Sequence, residues 1–343
     1  MAAMSHRRRL LPLLIALSAA LLLAACGSDG GSTSAAVGAP AAADAATDLS
    51  GVTLRVGDQA NLAKTLLEAS GQGADLPYDI EWSTFAAGPP LLEAVNAGAV
   101  DIGGVGDAPP IFAAAGGAGI TIVGASTSKD PEQSAQAIVV PKGSPIRTVG
   151  DLKGKRVAVA EGSSAHWLLL ATLKDAGLTF DDIQPKYLLP PDGLAAFSGG
   201  DVDAWAIWDP FLSLAEQKQG GTILTNGVGL VRGFSFQVAR TKALADPKLS
   251  AAIDDYLGRL AKANEWAIGH KEAWAAKYAE LTTLPLPIVT TTLKRFEAVA
   301  VPIDDDVIAA EQEEADAFAE AGLIPKHIDI ASIVDDRLKE ASK

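Results

Sequence analysis

Residues 85–115 contain two short turns whose residue types suit the binding of an anion. The turns, at residues 86–88 and 105–108, consist of small residues, and each leads through a proline pair into an apolar segment. Proline suits the first turn of a helix, where its missing N–H costs no hydrogen bond, and glycine lets a bound group approach the backbone. Each unit therefore predicts a helix N-terminus with unpaired N–H donors, which is a favourable place for an anion.

Strands and helices alternate along most of the chain around these turns. Short apolar or alternating segments predict strands, and amphipathic segments between them predict helices, first over residues 51–137 and again over residues 138–240. From residue 246 onward the pattern is helical, and no internal repeat of fixed period is evident. This order predicts an α/β protein with mainly parallel sheets covered by helices. The aromatic residues of the last region are expected in the core: Trp266, Trp274 and Tyr278.

Length and charge limit the classes of function. A chain of 343 residues with 48% hydrophobic and 20% charged residues is typical of a globular protein of two domains. The net charge of −14 gives no general basic surface for nucleic acid. An anion site in so acidic a protein must be dry and well formed, because long-range attraction would not help it.

The N-terminus has the pattern of a bacterial lipoprotein leader. Three arginines at residues 7–9 precede an apolar segment at residues 10–23, and Cys26 ends the lipobox sequence LAAC. We expect residues 1–26 to be a signal peptide ending at the lipidated Cys26, and residues 27–50 to be a flexible tether rich in Gly, Ser and Ala. An uncleaved anchor or an ordinary signal peptide are the alternatives. A single cysteine excludes an internal disulfide.

Four motifs follow one another along the chain: FAAGP at 85–89, GDAPPIF at 106–112, GSSAH at 162–166 and DAWAIWDPF at 203–211. Two further segments are DIQP at residues 182–185 and LIPK at residues 323–326. Together these motifs resemble the aliphatic sulfonate-binding proteins of ABC importers, within the nitrate, sulfonate and taurine group of substrate-binding proteins. The resemblance covers essentially the whole chain from about Gly51.

The resemblance implies a two-lobed α/β fold of the periplasmic-binding-protein type II class, with two crossover strands and hinged closure on a ligand. The first lobe would comprise residues 51–137 and 241–343, and the second lobe residues 138–240, with crossovers near residues 137–142 and 234–240. The implied partners are an alkanesulfonate and the permease and ATPase subunits of an importer. The protein would act as a monomer without a cofactor, lipid-anchored on the extracytoplasmic face, in the periplasm or at the cell surface.

A sulfonate is permanently anionic, so it needs hydrogen-bond donors, and helix N-termini provide them with partial positive charge. Four predicted turns qualify, and all follow strands, so we expect them on one cleft; ordinary helix capping is the alternative for each. Either serine of the third turn could donate its hydroxyl while the other caps the helix. The four turns contain Gly88 and Pro89; Gly106 and Asp107; Ser163 and Ser164; and Trp208 and Asp209.

Other residues complete the predicted site. His166 could donate from the third turn, although a lone histidine is more often structural, and Gln59 could reach the cleft or lie in a surface turn. Trp208 and Phe234 are expected to contact the organic tail, with core packing as the alternative for Phe234; Trp167 is expected in the core.

Asp107 and Asp209 would repel an anion. We therefore expect both to turn away from the ligand and to cap their own helices. Asp209 would instead meet an ammonium group if the ligand is zwitterionic, as taurine is.

Enzymatic functions find little support in the sequence. Residues 162–164 are not a G-x-S-x-G elbow, residues 104–106 lack the third glycine of a dinucleotide site, and the four histidines are scattered. Enzymes that make the thiamine pyrimidine share the broad fold but need no export signal. A purely structural surface lipoprotein would not need converging helix ends. Taurine, nitrate or a small aromatic or pyrimidine compound remain alternative ligands.

Overall fold

The structure is a computed structural model that describes residues 47–335. The predicted signal peptide, Cys26 and nearly all of the predicted tether lie outside the described residues. None of the helices within residues 47–335 is long and apolar enough to cross a membrane.

Six strands form the first sheet, in the order β11-β4-β10-β3-β1-β2. β1 is parallel to β2 and β3, whereas β10 is antiparallel to β3 and β4, and β11 is antiparallel to β4. The strands are β1 (Thr53–Gln59), β2 (Asp79–Phe85), β3 (Ile102–Gly106), β4 (Ile120–Ser128), β10 (Ser235–Arg240) and β11 (Ala298–Val301).

Five strands form the second sheet, in the order β7-β6-β8-β5-β9. β6 is parallel to β7 and β8, and β5 is antiparallel to β8 and β9. The strands are β5 (Gln136–Val140), β6 (Arg156–Val159), β7 (Gln184–Tyr187), β8 (Ala204–Trp208) and β9 (Thr222–Thr225).

Helices cover both sheets. The proline pairs lie in the first turns of α2 and α3, as the sequence predicts, and a third pair opens α5. The helices are α1 (Leu62–Ser70), α2 (Gly88–Ala97), α3 (Ala108–Ala115), α4 (Ser164–Asp175), α5 (Pro190–Gly199), α6 (Phe211–Gln219), α7 (Thr241–Leu244), α8 (Pro247–Gly269), α9 (Lys271–Thr282), α10 (Leu286–Arg295) and α11 (Asp305–Glu320), with 3₁₀ turns at Val149–Leu152, Phe180–Asp182 and Ile330–Ile333.

The α/β class with two sheets and two crossovers is therefore confirmed. The chain passes to the second sheet between β4 and β5 and returns between β9 and β10. β10 hydrogen-bonds entirely within the first sheet, although the predicted lobe boundary at residue 240 places it in the second lobe. The sequence predicts helix at Ala298–Val301, but this segment is the strand β11 because its backbone pairs with the edge of β4.

The two sheets contain an internal repeat that inspection of the sequence misses. In both, the strand order is second, first, third, followed by an antiparallel crossover strand: β2-β1-β3-β10 and β7-β6-β8-β5. Arg55 in β1 pairs with Asp101 before β3, 46 residues later, and Arg156 in β6 pairs with Asp203 before β8, 47 residues later. The repeat becomes visible through the strand order and these two ion pairs.

Leu91 of α2 packs into a notch that two glycines create on the first sheet. Gly57 and Gly103 are register partners in β1 and β3, and a Cβ on Gly103 would lie 2.6 Å from Leu91 Cδ2 and 2.9 Å from the Gly57 carbonyl oxygen. Leu91 is fully buried. This close approach positions α2 against β1 and the beginning of β3.

Gly103→Ala is expected to lower the free energy of unfolding by about 2 kcal/mol, because the added methyl overpacks against Leu91 and the backbone. Gly258→Ala, at an exposed helical glycine with nothing within 4 Å of the added methyl, is the control. It is expected to raise stability by about 0.5 to 1 kcal/mol through helix propensity. Urea unfolding measures the free energy of unfolding of both variants. Equal effects of the two substitutions would contradict the close packing of Leu91 against Gly57 and Gly103.

Candidate functional site

The N-termini of α2, α3 and α4 meet between the two sheets. A methyl group on Gly106, at the end of β3, would overlap the Ser164 hydroxyl at the start of α4. A methyl group on Gly88, at the start of α2, would come within 2.6 Å of Pro109 Cγ in α3. Three of the four predicted turns are therefore neighbours, and glycine is required at two of the contacts.

The two serines at the start of α4 have different surroundings. Ser163 Oγ accepts from the His166 N–H at 3.3 Å and donates to the Ala160 carbonyl at 2.7 Å. Ser163 therefore caps the helix. Ser164 is only half-buried, and its hydroxyl hydrogen-bonds the Asp107 carboxyl across the interface. Of the two hydroxyls, that of Ser164 is the one at the junction between the sheets.

Asp107 holds the start of α3. Its Oδ1 accepts from the Ala108 N–H at 3.0 Å, as the capping hypothesis predicts. Burial raises the pKa of Asp107 to about 6, although hydrogen bonds from Ser164 and Ala108 lower it. In contrast, no side chain caps α2, whose first four residues include two prolines. Gly88 and Leu91 are the backbone N–H donors of that turn.

His166 lies in an aromatic cluster. Its Nδ1 accepts from the Gly162 N–H at 3.2 Å, and the residue is fully buried. Burial lowers the pKa of His166 to about 4. The ring is therefore neutral near pH 7 and packs among aromatic side chains. Because Nδ1 accepts, the ring proton lies on Nε2, which has no hydrogen-bond partner within residues 47–335, and the donor role stays a prediction. Its centroid lies within 5.7 Å of those of four rings: Phe112, Phe180, Tyr187 and Phe318.

The other predicted site residues differ in what they contact. Gln59 Nε2 donates to the Gly104 carbonyl at 2.9 Å, so this amide group braces β1 against β3. Trp208 is half-buried and packs against the apolar clusters on both faces of the second sheet. Phe234 lines a cavity beside Asp107 and stacks obliquely near Phe236, 6.2 Å away. Pro89 occupies the first turn of α2.

Asp209 has partners that the sequence does not suggest. It accepts from the Ser213 N–H at 2.9 Å and from its hydroxyl at 2.5 Å, which is the expected capping arrangement. Arg295 of α10 lies 3.4 Å from its second oxygen and also pairs with Glu216 at 2.7 Å. Asp209 is 1% exposed, and both of its carboxylate oxygens have partners within the protein. Arg295 follows Asp209 by 86 residues, and no local pattern links them.

Helix α11 brings two further carboxyls to the site. Glu311 and Glu314 are buried beside Asp107 in a cavity of about 60 Å³, together with Trp167, which is half-buried there and does not belong only to the core. One signal was available: Val307, Glu311, Glu314 and Phe318 share the helical spacing of an apolar stripe, so the glutamates occupy core positions.

Burial and the neighbouring Asp107 raise the pKa of both glutamates well above the usual range. Within residues 47–335, no three His, Cys, Asp or Glu side chains are arranged to hold a metal ion.

The chain is similar to known proteins in sequence and in structure. Residues 73–260 match the family described as the periplasmic substrate-binding protein of a phosphonate ABC transporter. Over 289 residues, the chain is 41% identical to a protein of Escherichia coli (strain K12) named an aliphatic sulfonates-binding protein, covering 83% of this chain and 89% of that protein. A protein of the same name from Bacillus subtilis (strain 168) is 31% identical, covering 82% and 86%.

A solved structure resembles the whole fold. The alkanesulfonate-binding protein of Xanthomonas axonopodis pv. citri, bound to MOPS, superimposes with a TM-score of 0.76 at 37% identity. The match covers 83% of this chain and 99% of that chain.

Proposed function

We propose, because this chain belongs to the aliphatic sulfonate-binding proteins of ABC transporters, that it captures aliphatic sulfonates between its two sheets. It then delivers them to the permease and ATPase subunits of an importer. It does so outside the cytoplasm, as a monomer held to the membrane by a lipid on Cys26. It binds its ligand without a cofactor and without chemical turnover.

The observation that carries this proposal is the contact of Gly106 with Ser164. It joins the N-terminus of α3 on one sheet to that of α4 on the other, with the uncapped start of α2 alongside. A sulfonate placed there would receive N–H and hydroxyl donors from both sheets. The partial positive charge of helix N-termini suits an anion that cannot be neutralised by a proton.

The two sheets define the two lobes that would close on the ligand. We assign the first sheet with α1–α3 and α7–α11 to one lobe, and the second sheet with α4–α6 to the other. The boundaries stay close to those predicted, except that β10 joins the first lobe. Ligand donors on both lobes would favour the closed state, because a ligand shifts the equilibrium toward the conformation it binds best.

Calorimetry with a panel of small ligands tests the function. Ethanesulfonate and longer alkanesulfonates are expected to bind, and sulfate, nitrate and a pyrimidine to bind weakly or not at all. Binding of nitrate or a pyrimidine without any sulfonate would replace the ligand but keep the transport role. The incubated ligands are then recovered and analysed by mass, and their conversion would contradict a pure binding function.

Gly106→Ala tests the proposed site. The added methyl displaces the Ser164 hydroxyl and separates α3 from α4, so we expect about a 30-fold loss of sulfonate affinity. The double variant Gly106→Ala/Ser164→Gly removes the overlap, and it is expected to recover part of the lost affinity. Thermal unfolding of the free protein serves as the fold control. Unchanged affinity in Gly106→Ala would place the ligand elsewhere.

A further inference from the structure

The cavity beside Asp107 has walls of unusual composition. Three carboxyl side chains line it, and Asp107, Glu311 and Glu314 are 2%, 2% and 3% exposed. One oxygen of each glutamate, Oε1, has no hydrogen-bond partner within residues 47–335. Buried polar atoms are nearly always paired, and an unpaired one destabilises the folded state. The cavity therefore lacks a donor that its lining needs.

The ionisable groups facing the cavity are predominantly acidic. Glu313 adds a fourth, exposed carboxylate, and Arg232, also exposed, is the one basic residue that lines it. The high pKa of the buried carboxyls has the same origin, since each is desolvated close to another. A bound cation would relieve both the missing donor and the repulsion.

The other residues that line the cavity indicate which kind of cation it would bind. A metal ion does not fit, because the carboxyls are not arranged for coordination. Trp167 and Phe234 supply aromatic surfaces, which attract organic ammonium groups through their ring faces. A cavity of about 60 Å³ also suits an ammonium group with its adjoining methylene better than a bare metal ion.

We propose that this cavity binds the ammonium group of a zwitterionic aminoalkanesulfonate whose sulfonate lies at the N-termini of α2 and α4. The two subsites adjoin, because Asp107 borders the cavity and also hydrogen-bonds Ser164. The ammonium group donates to the free oxygens of Glu311 and Glu314. This inference rests on the proposed function and makes its ligand class narrower.

The net charge of the ligand explains how one molecule can occupy both the sulfonate subsite and the ammonium subsite. A simple alkanesulfonate places a negative charge next to the buried Glu311 and Glu314, so these must stay protonated when it binds. An aminoalkanesulfonate is neutral overall and allows the two glutamates to ionise beside its ammonium group. Binding of the zwitterion should consequently release protons, whereas binding of a simple sulfonate should not.

The wild-type protein provides the first test. Taurine and ethanesulfonate differ only by the amine, and each is titrated at about pH 7.5, where the amine is protonated, in two buffers of different ionisation enthalpy. We expect taurine to bind about tenfold more tightly and to release protons. Taurine binding that is equal or weaker, or that releases no protons, overturns the subsite while the proposed function stands. If neither sulfonate binds, the proposed function itself fails.

Substitution on one face of α11 provides the second test. Glu311→Gln/Glu314→Gln keeps the side-chain shape but removes the acids, so the preference for taurine should fall to about one. Glu320→Gln, an exposed change of the same charge on the same helix, should keep the full preference. Ethanesulfonate binding shows that the double variant is folded. Retained preference in the double variant overturns the proposal; if that variant does not fold, the proton-release measurement decides.

Discussion

Asp101→Asn is expected to lower the free energy of unfolding by about 3 kcal/mol, because it removes the acid from a buried ion-pair network and leaves two arginines facing an amide. Asp101 is 1% exposed and accepts from Arg55 Nε at 2.9 Å, Arg55 Nη2 at 2.7 Å and Arg240 Nη2 at 2.9 Å. Burial alone would raise the pKa of Asp101, but the hydrogen bonds from Arg55 and Arg240 outweigh it and hold that pKa below its usual value.

Asp203→Asn is the matched control for that loss. It interrupts the equivalent contact in the second sheet, where Arg156 is the partner and the Asp203 side chain is 32% exposed. Water can replace the lost interaction there, so a much smaller effect is expected. Urea denaturation of both variants gives the comparison. Equal losses would mean that the second arginine and the burial of Asp101 add nothing.

Acidification is expected to cost the protein about 3 kcal/mol through His166 between pH 6.5 and pH 4. Burial lowers the pKa of His166 from 6.5 to about 4, so the folded state takes up its proton later than the unfolded chain. The stabilisation from the neutral ring is complete above pH 6.5 and is lost as the pH falls toward 4. Protonation would place a charge among rings from α3, α11 and the second sheet.

His166→Phe isolates this effect. Asp58 and Asp107 have pKa values raised to about 6, so they gain stability on acidification and oppose the histidine in any single protein. Both aspartates are present in the variant, and the difference between the two pH profiles therefore reports the imidazole. Parallel profiles would show that the surrounding rings stabilise the imidazolium as well as water does.

Local sequence patterns predicted most of the strands, several helix starts and part of the candidate site. Proline pairs at 89–90 and 109–110 marked helix starts because proline fits the first turn, and Asp107 and Asp209 capped their helices because short carboxylates reach the first free N–H groups. These are interactions within a few residues of chain. Strand alternation likewise located most strands of both sheets.

Local sequence patterns do not predict the interactions between distant segments. β11 is a strand only because β4 offers its edge, and the repeat of Arg55–Asp101 in Arg156–Asp203 is a similarity of contacts. The rings that surround His166 come from separate elements, and no pattern near residue 166 predicts them.

The order of motifs and their helix starts thus established an α/β chain with donors at strand ends, since capping, proline geometry and strand alternation act over a few residues. Only the folded chain decided which of those ends meet and what faces them. It brought α11 to Asp107 and Arg295 to Asp209, across long separations in the sequence. Such pairings depend on how whole lobes pack, and a carboxyl on a helix becomes a buried group only when another element excludes the water around it.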